Sequence, residues 1–188
     1  LKRDFDKAIQ FHKQVLDVAK KTKDSFMEAR AYAGLGHALR CKGDLDQAVS
    51  FHEYQLALAI KLKDRATEGR ALSNLGVIFQ QRGLYGQALK LHKKHLAICK
   101  ELEDRAGQGR AYGNMGCAYS ACARYEQAIK FHKQELMISK EVNDRSSEAC
   151  THGNLAVAYQ AIGSLDKSLK HYQQHLVISQ EIGDQSNE

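Results

Sequence analysis

The sequence repeats itself every forty residues. The stretch GRALSNLGVIFQQRG begins at Gly69, and related stretches begin at Ala29, Gly109 and Ala149. Self-similarity at a fixed period of about 20–50 residues is typical of an array in which one supersecondary unit is stacked repeatedly. Each unit of such an array buries its apolar face only against its neighbours. The repeat therefore constrains the fold more strongly than any local motif does.

Each repeat predicts two helices, A and B. Aspartate recurs at the expected start of helix A, at Asp24, Asp64, Asp104, Asp144 and Asp184, and Asp accepts hydrogen bonds from the free N–H groups of a first helical turn. Helix A is expected to end in a loop that contains glycine, at Gly43, Gly83 and Gly163, with Ala123 as the exception. Helix B begins with a capping residue at Asp44 and Ser164 but without one at Leu84 and Arg124.

These boundaries predict a single array over residues 1–188. Residues 1–23 match the second helix of a unit, full repeats span 24–63, 64–103, 104–143 and 144–183, and residues 184–188 begin a further repeat. Four hairpins and a leading helix make about nine helices in an all-α, right-handed superhelix of the α-solenoid type. Because the first helix lacks its partner and Asp184 precedes no helix, we interpret the chain as a piece of a longer array.

The sequence offers no catalytic motif. It contains no Gly-rich phosphate loop and no nucleophile in a recognisable motif with a base, and an array of hairpins provides a groove rather than a closed pocket. We therefore expect no enzymatic activity and no cofactor. No run approaches the ~18 consecutive apolar residues that span a bilayer, so membrane insertion is not expected.

The five cysteines are Cys41, Cys99, Cys117, Cys122 and Cys150. Their odd number and the absence of a CxxC pair disfavour a disulfide framework or a zinc ribbon. Most stand where other repeats carry small or apolar residues, so we predict that they fill the core as free thiols. Free thiols are typical of a reducing compartment, which favours the cytoplasm.

The formal net charge is +6. Lysines such as Lys90, Lys93 and Lys94 fall where the outer face of helix B is expected, and aromatic residues do not interleave with them as base stacking would require. This pattern disfavours nucleic acid as a partner and favours an acidic protein.

The chain resembles the tetratricopeptide repeat (TPR) family over nearly its whole length. The family pattern W-x2-L-G-x2-Y…A-x3-F is met, with conservative replacements, by Tyr112, Met115, Gly116, Tyr119, Ala128 and His132. The forty-residue period with RA-Y-x-N-L-G is similar to the LGN/Pins group of spindle-orientation adaptors and to very large cell-division and cytoskeletal TPR proteins. The resemblance implies that extended peptides bind along a concave groove lined by the A helices.

Two departures limit which ligand the resemblance implies. Where the LGN-like pattern has Asn after L-G, this chain has His37, Val77, Cys117 and Val157. The carboxylate clamp of chaperone-binding TPR domains needs groove lysines, and those positions hold Ala33, Ser73, Gly113 and Gly153. We therefore do not expect recognition of chaperone tails.

A peptide-binding groove lined by the A helices would carry a series of arginines. Its predicted residues are Arg30, Arg70, Asn74, Gln80, Arg110, Asn114 and Asn154. Arg pairs bidentately with carboxylates and Asn hydrogen-bonds a peptide backbone, so the predicted ligand is an extended acidic segment. Small residues beside the series, Ser73, Gly113 and Gly153, would let a peptide approach closely. The alternative is that each Arg pairs with an acidic residue of a neighbouring helix start.

Histidine also recurs every forty residues, at His12, His52, His92 and His132. Adjacent repeats place such residues too far apart to share a metal ion, whose His ligands lie ~2 Å from it. We expect these side chains to pack between hairpins. Two pairs, His92/His95 and His171/His175, have the spacing of metal ligands on a helix, but no third ligand accompanies them, and we predict no metal site.

The sequence thus predicts a protein–protein interaction scaffold for an acidic segment, in cell division or in cytoskeletal and cortical organisation. The expected location is the cytoplasm, including the cytoskeleton, spindle or cell cortex. The competing hypothesis is a structural array. It would self-associate end to end through its terminal helices, or engage an acidic polymer such as a microtubule through the lysine-rich B faces.

Overall fold

A computed structural model describes residues 2–185 of the chain, and the side chains of residues 4–183. Within that range the chain is all-α and forms nine helices. The helices are α1 (Lys2–Thr22), α2 (Ser25–Lys42), α3 (Leu45–Leu62), α4 (Arg65–Gln81), α5 (Tyr85–Glu101), α6 (Arg105–Ala121), α7 (Tyr125–Glu141), α8 (Arg145–Ala161) and α9 (Leu165–Gln185). The even-numbered helices are the predicted A helices and the odd-numbered ones the B helices.

Consecutive helices pack against each other as the predicted hairpins. The chain divides into two compact units, Leu1–Ile98 and Cys99–Glu188. In the first unit α1 contacts α2, α2 contacts α3 and α3 contacts α4, and the two A helices α2 and α4 also touch. In the second unit α6 contacts α7, α7 contacts α8 and α8 contacts α9, and the A helices α6 and α8 touch in the same way. The predicted fold class, an α-solenoid of the TPR type, is confirmed.

Five of the six predicted aspartate caps are present in the structure, whereas Asp184 lies inside α9. Asp24, Asp44, Asp64, Asp104 and Asp144 each accept a hydrogen bond from the backbone N–H three residues later, at N···O distances of 2.8–3.1 Å. The start of α7 lacks this bond, because the residue at the cap position is Arg124. The difference between capped and uncapped starts follows directly from the residue at one position.

The helix ends were predicted only in part. Gly43, Gly83 and Gly163 follow A helices with positive φ angles of 95°, 75° and 76°, and Ala123 takes the same role with φ 56°. The B helices end in the left-handed conformation as well, on residues with a side chain: Lys23, Lys63, Glu103 and Asn143. No local pattern predicted these four helix ends, since the usual glycine is absent there.

Each unit has its own apolar core. In the first unit, Leu39, Ala48 and Ile78 form one buried cluster and Leu16, Ala31 and Leu35 another. In the second unit, Ile129 of α7 packs against Leu155, Ala158 and Tyr159 of α8. Burial of one B helix stripe against the next A helix holds successive hairpins together.

The recurring histidines pack differently from the prediction. His52, His92 and His132 are 1%, 0% and 1% exposed. Each imidazole lies against a glycine of the A helix in its own hairpin, at Gly36 and Gly76 in the first unit and Gly116 in the second. The expectation that they pack between hairpins was wrong for these three, because a helix position without a Cβ leaves room for the ring inside the hairpin. His12 of α1 does pack between hairpins, since its ring lies against Gly34 of α2.

The last predicted segment lies at the edge of the described chain. Residues 184 and 185 belong to α9, whereas residues 186–188 of the predicted further repeat lie outside the described residues. No helix within residues 2–185 is long and apolar enough to cross a membrane.

Candidate functional site

Every A helix presents one exposed or half-buried stripe, which we call the A-face stripe. It follows the spacing i, i+4, i+8, i+11 and i+15, which keeps residues on one helical face. In the first unit it comprises Phe26, Arg30, Gly34, His37 and Cys41 on α2, and Ala66, Arg70, Asn74, Val77 and Gln81 on α4. In the second it comprises Ala106, Arg110, Asn114, Cys117 and Ala121 on α6, and Ser146, Cys150, Asn154, Val157 and Ala161 on α8. None of these residues is Asp or Glu.

Six of the seven predicted site residues belong to this stripe. The arginines Arg30, Arg70 and Arg110 are exposed. The asparagines follow one turn later on α4, α6 and α8, and all three are half-buried. In each of α4 and α6 a guanidinium therefore precedes a carboxamide along the same face, and α8 carries Cys150 in place of the arginine.

The arginines differ in their present partners. Nη2 of Arg110 lies 3.5 Å from Oδ2 of Asp104, the capping residue of its own helix. Nη2 of Arg70 donates to the hydroxyl of Thr67 at 2.7 Å, and that hydroxyl donates to Asp64 at 2.6 Å. Arg30 forms no ion pair with any side chain that the structure describes. The alternative of acidic pairing thus holds for Arg110, which pairs with Asp104, the cap of its own helix, and also lies near Asp144, the cap of the neighbouring helix α8.

Hydrogen bonds to the capping aspartates also favour the ionised form of their carboxylates. The Thr67 hydroxyl and amide lower the pKa of Asp64, and Arg70 adds to this effect. The backbone N–H and hydroxyl of Ser147 lower the pKa of Asp144, to which Arg110 also contributes. These carboxylates remain ionised at neutral pH and hold the neighbouring guanidinium groups at the first turns of the A helices.

Successive A helices meet along the stripe in the second unit. Nδ2 of Asn154 lies 3.9 Å from Sγ of Cys117, a weak hydrogen bond between α8 and α6. The asparagine of one repeat therefore lies beside the residue after L-G in the repeat before it. This contact joins the stripes of α6 and α8 into one surface.

Gln80, the seventh predicted site residue, is engaged inside a hairpin. It is half-buried, and its Oε1 lies 2.8 Å from Nε2 of the buried His92. The imidazole donates this bond, because Oε1 can only accept. The amide oxygen of Gln80 is thus already used to satisfy a buried ring nitrogen.

The small residues beside the arginines serve packing inside the hairpins. A Cβ on Gly113 would lie 2.2 Å from Oε1 of Glu135 on α7, and Gly113 is buried. Gly153 also faces its own B helix, with His175 of α9 as its nearest neighbour. The expectation that these glycines open the groove to a peptide was wrong, because both face the partner helix.

The cysteines also differ from the prediction. Cys99 is buried, but Cys41, Cys117, Cys122 and Cys150 are exposed, and all five are free thiols. The prediction of core-filling thiols therefore holds only for Cys99. Two of the exposed thiols, on Cys117 and Cys150, lie on the A-face stripe of the second unit. The position of Cys117 and Cys150 on that stripe was the sequence signal that could have identified these thiols as exposed.

The histidines of the last hairpin form a contact that the sequence did not predict. Nδ1 of His152 and Nδ1 of His171 are 2.8 Å apart, so one ring donates and the other accepts. Burial, with the help of His171, lowers the pKa of His152 to about 4. Nδ1 of His175 lies 2.8 Å from the carbonyl oxygen of Ala149. Within the described residues, no group of three His, Cys, Asp or Glu side chains could hold a metal ion.

A basic cluster in the second unit involves the B helices α7 and α9. Nζ of Lys133 on α7 and Nζ of Lys167 on α9 lie 6.0 Å and 5.5 Å from the ring centre of Tyr159. The ring of His171 stacks on the same tyrosine, and burial together with Lys133 and Lys140 lowers the pKa of His171. Two B helices thus bring their cations together over one aromatic side chain of the intervening A helix.

Family comparisons agree with this architecture. A family described as tetratricopeptide repeat matches residues 1–63 and 67–141, and a second model of the same description matches residues 151–186. The chain belongs to the tetratricopeptide repeat family. TPR arrays are protein-interaction scaffolds, and the fold itself is non-catalytic. No curated protein sequence matches the chain.

Solved structures of this fold include BtubC (BKLC) from P. vanneervenii, with a TM-score of 0.86 and 22% identity over 96% of this chain and 75% of that one. A Rap protein in complex with Competence and Sporulation Factor gives a TM-score of 0.86 and 17% identity over 98% of this TPR chain and 51% of the other. A Podosopora anserina protein with nearly identical TPR-like repeats gives a TM-score of 0.73 and 19% identity, over 95% of this chain and 88% of that one. At these identities the likeness establishes the fold alone.

Proposed function

We propose that this TPR array is a scaffold that binds an extended acidic segment of a partner protein along its A helices. The observation that carries the proposal is the A-face stripe, which holds Arg30, Arg70 and Arg110 and no Asp or Glu. The stripe residues supply cations and no carboxylate of their own, which favours an anionic ligand, and such a ligand would compete with Asp104 for Arg110. The Rap protein, which shares the fold, was solved with a bound factor.

The roles of the residues follow from their chemistry. A guanidinium can bind a carboxylate through two parallel hydrogen bonds, so the three arginines would bind acidic side chains. Carboxamides both donate and accept, so Asn74, Asn114 and Asn154 would pair with the peptide backbone. Gln80, whose Oε1 accepts a hydrogen bond from His92, would extend this strip at the end of α4.

The present contacts of the arginines do not oppose such binding. The pair between Arg110 and Asp104 is long, at 3.5 Å, and its side chains are 60% and 43% exposed. An exposed ion pair of this kind contributes little to stability, about 0–1 kcal/mol. A ligand carboxylate could therefore engage Arg110 without disrupting the fold.

Selection of short random peptides displayed on phage tests the proposal. The wild type is compared with the double variant Arg70→Glu/Arg110→Glu and with a control, Lys93→Glu/Lys130→Glu, which makes the same change of charge at exposed positions of B helices. Circular dichroism first verifies equal helicity. We expect acidic peptides to be enriched on the wild type and the control, and to bind the arginine variant at least about tenfold more weakly. Equal binding by both double variants would refute the role of the arginines.

The biological setting that we propose is cell division or cortical and cytoskeletal organisation. This setting follows from the resemblance to the LGN/Pins group, which shares the forty-residue period. Imaging of a fluorescently tagged chain through cell division tests it. Enrichment at the spindle or cortex supports the setting, and a uniform cytoplasmic distribution contradicts it.

A second candidate function uses the basic outer face or the ends of the array. The convergence of Lys133 and Lys167 over Tyr159 favours an acidic polymer such as a microtubule as the partner. Cosedimentation with microtubules at rising salt, with Lys133→Glu/Lys167→Glu as the variant, tests this function. Salt-sensitive binding that is lost in the variant supports this function, and an absence of binding at low salt rejects it.

Self-association through the ends of the array is tested by sedimentation velocity over a range of protein concentrations. If the array self-associates, the sedimenting species should change with concentration.

A further inference from the structure

The A-face stripe changes character within the second unit. Its first half carries a cation, Arg110, whereas its second half is apolar on both A helices. The apolar part consists of four exposed residues, which we call the apolar patch: Cys117 and Ala121 on α6, and Val157 and Ala161 on α8. Val157 is 53% exposed although it is aliphatic. Corresponding positions of the first unit carry polar side chains at His37 and Gln81.

Contacts between α6 and α8 make the patch continuous. Asn154 bridges the helices through its 3.9 Å contact with Sγ of Cys117, and Val157 follows one turn later on α8. Carboxamides of Asn114 and Asn154 lie between Arg110 and the apolar patch along the helix axes. A ligand that reaches from Arg110 to the patch would therefore pass over groups that can pair with its backbone.

The length of this path sets the spacing of ligand residues. Arg110 and Cys117 are seven residues apart on α6, which corresponds to a rise of ~10 Å. A peptide in the extended polyproline II conformation advances ~3.1 Å per residue and returns to the same face every three residues, so a side chain three positions on covers about the same distance on the same side. An acidic side chain at Arg110 and a side chain over the patch would thus be separated by two intervening residues.

We propose that the second unit recognises an acidic residue and an aliphatic residue three positions apart in an extended segment, with the carboxylate at Arg110 and the aliphatic side chain on the apolar patch. This proposal rests on the proposed function and adds the ligand's second determinant. Charge complementarity at Arg110 and the apolar character of the patch together fix the chemistry of the partner. An aliphatic side chain fits because the patch residues are small and carry no charge.

Synthetic fluorescent peptides built on a Gly-Ser backbone provide the probe. One series carries Glu and Val with two residues between them, a second carries five residues between them, and a third replaces Val by Ser. A fourth series replaces Glu by Gln. Fluorescence anisotropy is measured with wild type, Arg110→Gln, Val157→Lys and Val177→Lys. Val177 is a matched control, since it is 46% exposed and lies on the B helix α9.

We expect the peptide with two intervening residues to bind most tightly, and replacement of Val by Ser to weaken binding about fivefold to tenfold. Val157→Lys should weaken binding of the Val peptide by a similar factor and leave the Ser peptide unaffected. Val177→Lys should change neither. In methyl NMR spectra of the wild type, the Val157 signals should shift on addition of the Val peptide and those of Val177 should not.

The outcomes separate this inference from the proposed function. Binding that needs Glu and Arg110 but ignores Val157 and the spacing overturns the inference and leaves the acidic-segment scaffold intact. Binding that ignores Arg110 as well overturns both. Shifted Val157 signals that persist with the Ser peptide overturn the aliphatic determinant, as does dimerisation through the patch in sedimentation velocity.

Discussion

A β-carbon on Gly36 would lie 2.6 Å from Nε2 of His52, so the glycine makes room for the buried imidazole of the facing helix. The same relationship recurs at Gly76 with His92 and at Gly116 with His132. The last hairpin lacks it: Ala156 stands at the glycine position and Tyr172, at the histidine position, is 39% exposed. Glycine and histidine thus occur together in these three hairpins, because each of the three rings needs a facing helix position without a side chain.

Gly76→Ala should destabilise the array. Its new Cβ would lie 2.4 Å from Cε1 of His92, a ring that is 0% exposed and cannot move outward without breaking its bond to Gln80. We expect a loss of roughly 1–3 kcal/mol, which is typical of overpacking. The measurement is the midpoint of urea unfolding followed by circular dichroism.

Two further variants give this prediction its control. Gly86→Ala places a Cβ where no atom lies within 4 Å, so it should not destabilise α5 and should raise helix propensity. The double variant Gly76→Ala/His92→Ala removes both the clash and the ring, and should be more stable than the sum of the single effects predicts. Strict additivity would show that the two residues do not share a close contact.

Stability should fall as the solution is acidified below pH 6.5. Burial, and to a lesser extent His95, lowers the pKa of His92 to about 4 from its usual 6.5. The neutral ring is therefore favoured in the folded chain, and protonation of the unfolded chain begins first as pH falls. This stability is fully present above pH 6.5 and is lost progressively down to about pH 4, at a cost of about 3 kcal/mol for His92.

His92→Asn tests the source of this pH dependence. Nδ1 of His92 has no hydrogen-bond partner within the described chain, so protonation would bury a donor without an acceptor. The thermal midpoint of the variant should change less between pH 7.5 and pH 5 than that of the wild type. Gln134→Asn, at an exposed position of α7, is the control, and its thermal midpoint should depend on pH as that of the wild type does. If the thermal midpoints of all three proteins changed equally between pH 7.5 and pH 5, the acid sensitivity would belong to other groups, such as His52 and His152.

Local signals made most of the fold predictable. The forty-residue period set the number of helices, and Asp64 or Asp144 marked where a helix begins, because a cap depends on one residue and its own helix. The packing of His52 was not predictable from that pattern. Whether a ring at a repeating position points into its own hairpin or the next depends on which facing position lacks a Cβ, and this requires the register of two helices.

The candidate site was predictable to a similar extent. Position on helix A sufficed to place Arg30, Arg70 and Arg110 on an exposed face, since a 3.6-residue period fixes which residues share a face. The tie of Gln80 to His92, and the role of Gly113 beside Glu135, depend on contacts between helices. Periodicity within one helix carries no information about such contacts.

Ala123→Gly should stabilise the second unit. Ala123 lies just after helix α6 with φ 56°, a left-handed conformation that costs a residue with a Cβ about 1 kcal/mol more than glycine. Gly43→Ala makes the opposite change at φ 95°, where no atom lies within 4 Å of the new Cβ, and should destabilise by a similar amount. Thermal unfolding gives both values. A lower midpoint for Ala123→Gly would show that the chain's flexibility before folding outweighs the relief of backbone strain.

The uncapped start of α7 should accept a stabilising substitution. Arg124 occupies the cap position and makes no side-chain hydrogen bond to the first turn, whereas Asp144 at the start of α8 accepts one from Ser147 at 2.9 Å. Arg124→Asn supplies a carboxamide oxygen that can accept from the N–H of Gln127, and Arg124→Ala removes the same charge without supplying an acceptor. Because capping residues exceed alanine by about 0.5–2 kcal/mol, the Asn variant should unfold at a higher urea concentration than the Ala variant. Amide hydrogen exchange at residues 126 and 127 should slow only in the Asn variant, since the new bond protects those N–H groups. Equal midpoints and equal exchange for the two variants would mean that packing of α7 against α6 and α8, rather than its cap, determines how firmly the helix begins.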